Sequence, residues 1–190
     1  MMKSGLLLID IQNDYFTGGA MPLEGMETSA LNAAALLQRF RDHHRPIYHI
    51  QHMAVRPGAS FFLPETRGME IHSCVMPLPP EQVFIKHYPN SFRETMLAEC
   101  LGDDSIEHLV IGGAMSHMCV DATVRAAFDM GFKCTVVEDA CATRDLEFNG
   151  QKVAAQSVHA AFMAALATPY AEVLSIKQYV HRYEPAPEAS

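Results

Sequence analysis

The sequence predicts an α/β fold of three layers, in which helices cover both faces of an open, Rossmann-like, six-stranded and mostly parallel sheet. Apolar runs of strand length occur six times along the chain. Segments with the helical period of about 3.6 residues stand between most of these runs, and such alternation is typical of parallel α/β sheets. The length of 190 residues fits one domain, and no internal repeat or linker divides the chain.

The first half of the chain predicts three strands, one long helix and one long loop. Residues 6–9 form an uninterrupted apolar run, which is typical of a buried parallel strand. Across residues 28–43 the apolar positions recur three and four apart, which predicts an amphipathic helix. Residues 46–51 and 83–86 predict two further strands. Between them, residues 53–82 contain prolines and no period, so we expect an irregular functional loop.

The second half predicts three more strands and three helices. Ser91 and Glu94 have the spacing of a capping box, which predicts that a short helix begins at Ser91. The other elements are a strand at 108–111, a helix at 118–130 that Gly131 ends, a strand at 133–138, an alanine-rich helix at 150–166 and a strand at 171–175. We expect one domain over residues 1–180 and a disordered tail over residues 181–190.

The composition argues against nucleic acid and membranes as partners. The formal net charge is -8, whereas phosphate backbones attract basic proteins. No apolar run approaches the roughly 20 residues that a membrane-spanning helix needs, and no cluster of basic residues marks a membrane-facing surface. The chain passes from a short apolar run to the charged Asp10 too soon for a signal peptide. A cytoplasmic location is therefore expected.

The cysteines indicate reduced thiols, because five is an odd number and none of them forms a CxxC pair. They are Cys74, Cys100, Cys119, Cys134 and Cys141. A free cysteine most often acts as a small buried apolar residue. Only Cys119 has surroundings that indicate chemistry.

Three reactive side chains follow or end predicted strands. Asp10 follows the first strand, Lys86 ends the third, and Cys119 lies just after the fourth. The carboxyl ends of parallel strands share one edge of the sheet, where such folds bind their ligands. We therefore expect the three side chains to converge.

An acid, an ammonium and a thiol on one rim suit covalent catalysis. A thiol attacks as its thiolate, and a helix N-terminus with a nearby ammonium is expected to lower the pKa of Cys119 from about 8.5. A carboxylate such as Asp10 can take the thiol proton and later return it to a leaving group. Amides at the start of the following helix can face the oxyanion of a tetrahedral intermediate.

The chain resembles the isochorismatase-like cysteine hydrolases, a family that includes the nicotinamidases. The resemblance is carried by residues 7–16 (LLIDIQNDYF), 84–86 (FIK) and 112–120 (GGAMSHMCV), and it extends to about residue 175. It implies a catalytic triad of Asp10, Lys86 and Cys119. It also implies a cis peptide between Ala114 and Met115, an oxyanion hole built from the amides of Met115 and Cys119, and a homo-oligomer.

The chain departs from the nicotinamidase pattern in the loop after the second strand. Nicotinamidases place an aspartate and histidines there to hold a metal, whereas the matching positions of this chain carry His52, Ala54 and Ser60. One imidazole is too few to fix a divalent ion. We therefore expect no metal, no other cofactor and a substrate other than nicotinamide. The pair Gly112 and Gly113 lacks the GxGxxG pattern, so no dinucleotide is expected.

Several side chains could line a substrate pocket. They are Phe16, His52, Arg56, Phe61 and Tyr88. His72 is a further candidate. The alternative is packing or a subunit contact for the phenylalanine of the loop, a solvated loop charge for the arginine and a position at the surface or behind the site for the histidines. His117 stands two residues from Cys119 and suggests a catalytic Cys–His pair. At the start of a helix, however, its side chain is expected to point away from Cys119. Ser116 stands where many relatives have threonine.

These observations favour a metal-independent hydrolase that cleaves a C–N amide-type bond of a small molecule through a thioester on Cys119. Within the family, the alternative is vinyl-ether hydrolysis of an isochorismate-like substrate, which does not need the thiol. A noncatalytic binding or assembly module on the same fold is a second alternative. A redox-sensing thiol protein, with Cys141 or Cys74 approaching Cys119, is a third.

Overall fold

A six-stranded sheet forms the centre of the molecule, and every pairing between its neighbouring strands is parallel. The computed structural model describes residues 2–183. Its strands are β1 (Ser4–Ile9), β2 (Ile47–His52), β3 (Gln82–Lys86), β4 (His108–Ala114), β5 (Lys133–Ala142), β6 (Leu146–Phe148), β7 (Gln151–Val153) and β8 (Glu172–Leu174). The order across the sheet is β3-β2-β1-β4-β5-β8, and β6 pairs with β7 in a separate hairpin. The predicted α/β fold is confirmed.

Helices cover both faces of the sheet and create two cores. They are α1 (Met26–Asp42), α2 (Leu97–Asp103), α3 (Asp121–Asp129), α4 (Ala155–Leu166) and α5 (Ile176–Tyr183). In β1, Leu6 and Leu8 pack with residues of α1 and α5, whereas Leu7 and Ile9 pack with residues of α2, α3 and α4. This alternation explains why the first strand is apolar throughout, since both of its faces are buried.

The strand order reverses between β1 and β4, and these two strands approach each other closely at Gly113. The φ angle of Gly113 is 133°, a value that side chains rarely tolerate. A Cβ atom there would lie 2.7 Å from the nitrogen of Ile9 and closer still to its carbonyl oxygen. The crevice beyond the carboxyl ends of β1 and β4 is where folds of this kind place their ligands.

The short helix predicted at Ser91 begins later, at Leu97. The hydroxyl of Ser91 is buried and lies 2.9 Å from that of Thr123, so it is not available as a helix cap. The φ angle of Glu94 is 58°, which no first-turn helical residue adopts. The capping-box prediction was therefore wrong, because a tertiary contact engages the capping side chain.

The helix predicted from residue 150 begins at Ala155, because residues 146–153 form the hairpin of β6 and β7. Asn149 and Gly150 have φ angles of 51° and 76°. Two consecutive residues with positive φ make the tight turn that Asn-Gly favours. The amide of Ala155 then donates to the carboxylate of Asp145 at 2.8 Å, which satisfies a free donor at the start of α4.

The C-terminal helix α5 was not predicted from the sequence. It includes residues 181–183, which the sequence had placed in a disordered tail; residues 184–190 lie outside the described residues. Tyr179 of α5 is buried against the α1 face, so packing stabilises a segment that is too short for local preference alone. Among residues 2–183, no helix combines the length and apolar character needed to cross a membrane.

We expect Gly113→Ala to destabilise the protein severely, by on the order of 3 kcal/mol or more, because the added methyl meets backbone rather than a movable side chain. Urea unfolding followed by circular dichroism measures the effect. Gly102→Ala is the matched control, since nothing lies within 4 Å of its added Cβ. Gly102 belongs to α2, where alanine should be neutral or stabilise by up to about 1 kcal/mol. Equal stability of the two variants would contradict the argument.

Candidate active site

Asp10, Lys86 and Cys119 meet beyond the carboxyl ends of the strands. The Nζ atom of Lys86 donates to Oδ2 of Asp10 at 2.8 Å and to Sγ of Cys119 at 3.2 Å. Asp10 and Lys86 are fully buried, and Cys119 is 6% exposed. The three side chains that the sequence predicted to converge therefore form one buried, hydrogen-bonded cluster.

Asp10 and Lys86 are each positioned by the end of a strand. Asp10 follows β1 with a φ angle of 52°, and its amide donates to the carbonyl of Ile50 at 3.0 Å. Lys86 is the last residue of β3, in register with His52 of β2. Because β2 separates β3 from β1, the long lysine side chain is needed to cross to Asp10.

Cys119 lies in a turn of π-helix, Ser116–Val120, that joins β4 to α3. The sequence predicted an α-helix from residue 118, but α3 begins at Asp121. Within the turn, the carbonyl of Met115 accepts the amides of Met118 and Val120 at 3.0 and 3.3 Å. The amide of Cys119, which lies between these two residues, takes part in neither hydrogen bond. The peptide bond between Ala114 and Met115 is cis.

The electrostatics of the resting site differ from the sequence-based expectation. Burial, and then the carboxylate of Asp10, raise the pKa of the Cys119 thiol well above its usual value, and the opposing effect of Lys86 is smaller. Burial alone would lower the pKa of Lys86, but Asp10 and Cys119 outweigh it and the pKa is raised. The expectation of a lowered thiol pKa was wrong, because a sequence does not show how deeply a cysteine is buried.

One oxygen of Asp10 is left without a partner. Among the buried side-chain nitrogen and oxygen atoms of residues 2–183, only Oδ1 of Asp10 makes no hydrogen bond. A buried acceptor without a donor is costly. In this position, beside a protonated thiol, the free oxygen is suited to accept a proton.

Two neighbours of Cys119 in the π-helical turn are held by residues outside the turn. Ser116 donates to the carbonyl of Ala142 at 3.2 Å and lies 2.8 Å from Nδ1 of His159. His117 lies 2.6 Å from the hydroxyl of Thr143 through its Nδ1 atom. Its imidazole is thus engaged with the residue that follows β5, rather than with the thiol. The contact with His159 could not be found from the sequence, since 43 residues separate the partners.

His52 completes the cluster around Lys86. Its Nδ1 atom lies 3.1 Å from Nζ of Lys86. Burial, followed by the charge of Lys86, lowers the pKa of His52 to about 4. One ligand atom each from Asp10, His52 and Cys119 lies within 4.8 Å of the others, a grouping that could hold a metal ion. The ammonium group of Lys86 makes this grouping unfavourable for a second cation.

The structure adds Tyr15 to the residues around the triad. Its ring is 2% exposed and packs against Phe61 and Phe62, with centroids 5.9 and 4.6 Å apart. Burial, and then the charges of Cys119 and Asp10, raise the pKa of Tyr15 well above its usual value. The loop that carries the phenylalanines is held by Asp14, whose carboxylate accepts the amide of Phe62 at 2.6 Å.

Other predicted substrate contacts lie further from the triad or on the surface. Phe16 stacks on His72 with ring centroids 3.7 Å apart. The two rings line a pair of cavities of about 350 and 360 Å³, whose walls do not include the triad. The guanidinium carbon of Arg93 lies over the ring of Tyr88, 3.6 Å from the ring centroid. Arg56 is exposed, although its charge contributes to the lowered pKa of His52.

The chain is similar to known proteins over nearly its whole length. The family model for the isochorismatase domain matches residues 4–178. An uncharacterized isochorismatase family protein of Bacillus subtilis, YddQ, is 49% identical over 179 residues, which cover 94% of this chain and 99% of the relative. A streptothricin hydrolase of Streptomyces noursei is 33% identical over 141 residues, which cover 74% of this chain and 50% of that protein.

A solved structure from Oleispira antarctica, provisionally described as an isochorismatase hydrolase, superposes with a TM-score of 0.90 at 50% identity. The match covers 94% of this chain and 96% of that one. The family domain and these similarities extend over nearly the whole chain, and the chain belongs to the isochorismatase family.

Proposed function

We propose that this protein is a metal-independent cysteine hydrolase that cleaves a C–N amide-type bond of a small molecule through a thioester on Cys119. The observation that carries the proposal is the ammonium of Lys86, which donates to both Asp10 and Cys119 at 2.8 and 3.2 Å. This bridge holds a nucleophile and a base together in a buried site. The unpartnered Oδ1 of Asp10 leaves the base free to act.

In the first half of the reaction, Sγ of Cys119 attacks the carbonyl carbon of the amide while Oδ1 of Asp10 takes the thiol proton. Because the thiol pKa is raised at rest, proton transfer accompanies the attack instead of preceding it. The amides of Met115 and Cys119 are the donors proposed for the oxyanion. Lys86 remains an ammonium and stabilises the negative charge that moves between its two partners.

The tetrahedral intermediate then collapses and the C–N bond breaks. The bonding electrons go to the nitrogen, which takes the proton from Asp10, and ammonia or an amine leaves. Water attacks the remaining thioester while Asp10 accepts a proton from it. The C–S bond breaks, the sulfur regains a proton, and a carboxylic acid is released.

The names of relatives support hydrolysis as the reaction class. A streptothricin hydrolase is among them, and a nicotinamidase of Escherichia coli, which by its name acts on nicotinamide, is 28% identical over 178 residues. Vinyl-ether hydrolysis remains the second candidate, but it leaves the positioned thiol without a use. A small-molecule substrate, a homo-oligomeric state and a cytoplasmic location are part of the proposal.

A screen for ammonia or amine release over small amides, ureides and hydroxamates tests the reaction class. Intact-mass measurement after brief mixing with a hydrolysed substrate should show a mass increase equal to the acyl group, located on Cys119. A ladder of oxygen additions on Cys119 without turnover would favour redox sensing. Turnover that persists in Cys119→Ala would favour chemistry that does not use the thiol.

We expect alkylation of Cys119 by iodoacetamide to rise about tenfold per pH unit between roughly pH 7 and 9, without a plateau, because the thiolate fraction grows in this way below a raised pKa. Asp10→Asn should speed alkylation at pH 7.5, since it removes an anion that raises the thiol pKa. Lys86→Met should slow it. Peptide mapping against pH measures the rates, and a plateau below pH 8 would mean that the resting thiol is already ionised.

Asp10→Asn should reduce amide turnover by about 10²- to 10⁴-fold, the usual contribution of one acid–base group. The variant keeps the shape of the side chain but cannot accept the thiol proton, so hydrolysis and alkylation should change in opposite directions. Lys86→Met should reduce both. Turnover by Asp10→Asn near the wild-type rate would assign the proton to another base.

Chelators should leave turnover unchanged, because Lys86 is within 3.2 Å of Asp10, His52 and Cys119 and supplies the positive charge of the cluster. Steady-state rates before and after extended dialysis against EDTA measure this. Loss of activity that zinc or manganese restores would show that a metal takes part.

A further inference from the structure

A second cysteine lies beside a base, away from the triad. Sγ of Cys74 is 3.0 Å from Nδ1 of His72, and the backbone amide of Cys74 donates to the same Nδ1 atom at 3.3 Å. A ring nitrogen that accepts a hydrogen bond carries a lone pair, so the neutral imidazole has its hydrogen on Nε2. The contact with sulfur is therefore a thiol S–H that donates to His72.

The pair is neutral at rest. Burial lowers the pKa of His72, and the opposing effect of Glu27 is smaller, so the imidazole is an unprotonated base at about pH 7. Burial also raises the pKa of the Cys74 thiol. The thiol keeps its proton until an electrophile arrives, but the base that can take this proton is already in contact with it. A thiolate of high pKa is also a stronger nucleophile than one of low pKa.

Two neighbours of His72 prepare it to accept the proton. The ring of Phe16 stacks on the imidazole with centroids 3.7 Å apart and planes 12° apart, which fixes the direction of Nδ1. The negative charge of Glu27 acts to raise the pKa of His72, so it stabilises the imidazolium that forms when the proton moves. Glu27 is itself held by Thr17, whose amide and hydroxyl donate to Oε1 at 3.2 and 2.6 Å.

The pair lines a cavity of about 360 Å³, which is large enough for a small molecule. The residues of its wall are Phe16, Thr17, Glu27, Ala30, Leu31, His72 and Cys74. Among them only Glu27 carries a charge when His72 is neutral. The cavity therefore favours a small ligand with a positive charge and disfavours an anion.

We propose that Cys74 is a site of reversible S-thiolation by small disulfides that carry an amine, with His72 as the base. The reaction is separate from amide hydrolysis and does not use the triad. Sγ of Cys74 attacks one sulfur of the disulfide while its proton moves to Nδ1 of His72. The S–S bond of the reagent breaks, and the leaving sulfur takes the bonding electrons and then the proton from His72. An aminothiol is released, a mixed disulfide remains on Cys74, and excess thiol reverses the exchange.

Cys100 is an internal control for this reaction. It is half-buried, as Cys74 is, and burial raises its pKa as well. Its charged neighbours include the carboxylates of Asp103 and Asp104, which attract an amine but are much weaker bases than an imidazole. A difference in rate between the two cysteines therefore reports His72, and not burial or local charge.

The test uses cystamine, a disulfide with an amine on each half, and the Cys119→Ala variant, which removes the triad thiol from the measurement. Intact mass and peptide mapping should place one aminoethylthio group on Cys74 before any on Cys100, and excess dithiothreitol should remove it. Between roughly pH 6.5 and 7.5 the rate at Cys74 should change by less than about threefold, because the proton passes within the pair, whereas the rate at Cys100 should rise about tenfold. Equal rates at the two cysteines, or a tenfold rise at Cys74, would overturn the proposal.

His72→Asn tests the base directly. Asparagine keeps an acceptor for the amide of Cys74 and is a preferred residue at this capping position, but it cannot take the thiol proton. We expect thiolation of Cys74 at about pH 6.5 to slow by about tenfold or more, and its pH dependence to become as steep as that of Cys100. An unchanged rate would overturn the proposal. If circular dichroism shows that the variant does not fold, the pH profiles with His72 intact decide alone.

The charge preference is tested with two further reagents, neutral hydroxyethyl disulfide and anionic dithiodipropionate. At Cys74 we expect cystamine to react fastest and dithiodipropionate slowest. Glu27→Gln should reduce the preference for cystamine over hydroxyethyl disulfide by about two- to fivefold, with no change in the same ratio at Cys100. A preference of Cys74 for the anion would reject amine-bearing disulfides as the reagent class.

Discussion

The buried ammonium of Lys86 is the interaction on which the rest of the site depends. Removing a charge from water costs several kcal/mol unless it is paired and fully hydrogen-bonded. All three donors of Lys86 are satisfied: Asp10 follows β1, His52 ends β2, and Cys119 lies in the turn after β4. The strand order β3-β2-β1-β4 is therefore a requirement of the site as well as of the fold. Loss of any acceptor would leave a cation partly unpaired inside the protein.

A second constraint is the close approach of β1 and β4. Gly113 lies against the backbone of Ile9. The residues that follow β1 and β4 therefore lie close to each other at the edge of the sheet. Asp10 and the π-helical turn that carries Cys119 are consequently neighbours. The turn is then held from the opposite side by the contacts of Ser116 with Ala142 and His159. Packing of the sheet positions Asp10, whereas β5 and α4 position the turn that carries Cys119.

The sequence predicted the site correctly where the position of a reactive residue depends only on the strand that it follows or ends. Residues that follow apolar runs in a parallel fold share one edge, which is why Asp10, Lys86 and Cys119 could be grouped before any contact was known. Local patterns gave wrong predictions where a residue from another segment engages the side chain concerned. The hydroxyl of Ser91, which the sequence predicted to cap a helix, is hydrogen-bonded to Thr123 instead. The Asn149-Gly150 turn was a readable hairpin signal that the alanine-rich stretch behind it obscured. Burial depth, which sets the thiol pKa, and partners as distant as His159 have no local signature.

The raised pKa of the Cys119 thiol is consistent with the proposed hydrolysis once the charges of all members of the cluster are added together. At rest, the carboxylate of Asp10 balances the ammonium of Lys86, and the thiol and His52 are neutral. In the proposed reaction the thiol proton moves to Asp10, and the negative charge moves to sulfur and then to the oxygen of the tetrahedral intermediate. When Asp10 returns the proton to the leaving nitrogen, the carboxylate is negative again. The cluster and the bound substrate together thus carry no net charge at any step, and no isolated charge has to be created where solvation is poor. A thiolate present at rest beside the carboxylate would instead leave two anions facing one ammonium. A protonated resting thiol is the arrangement that a buried triad of this composition favours.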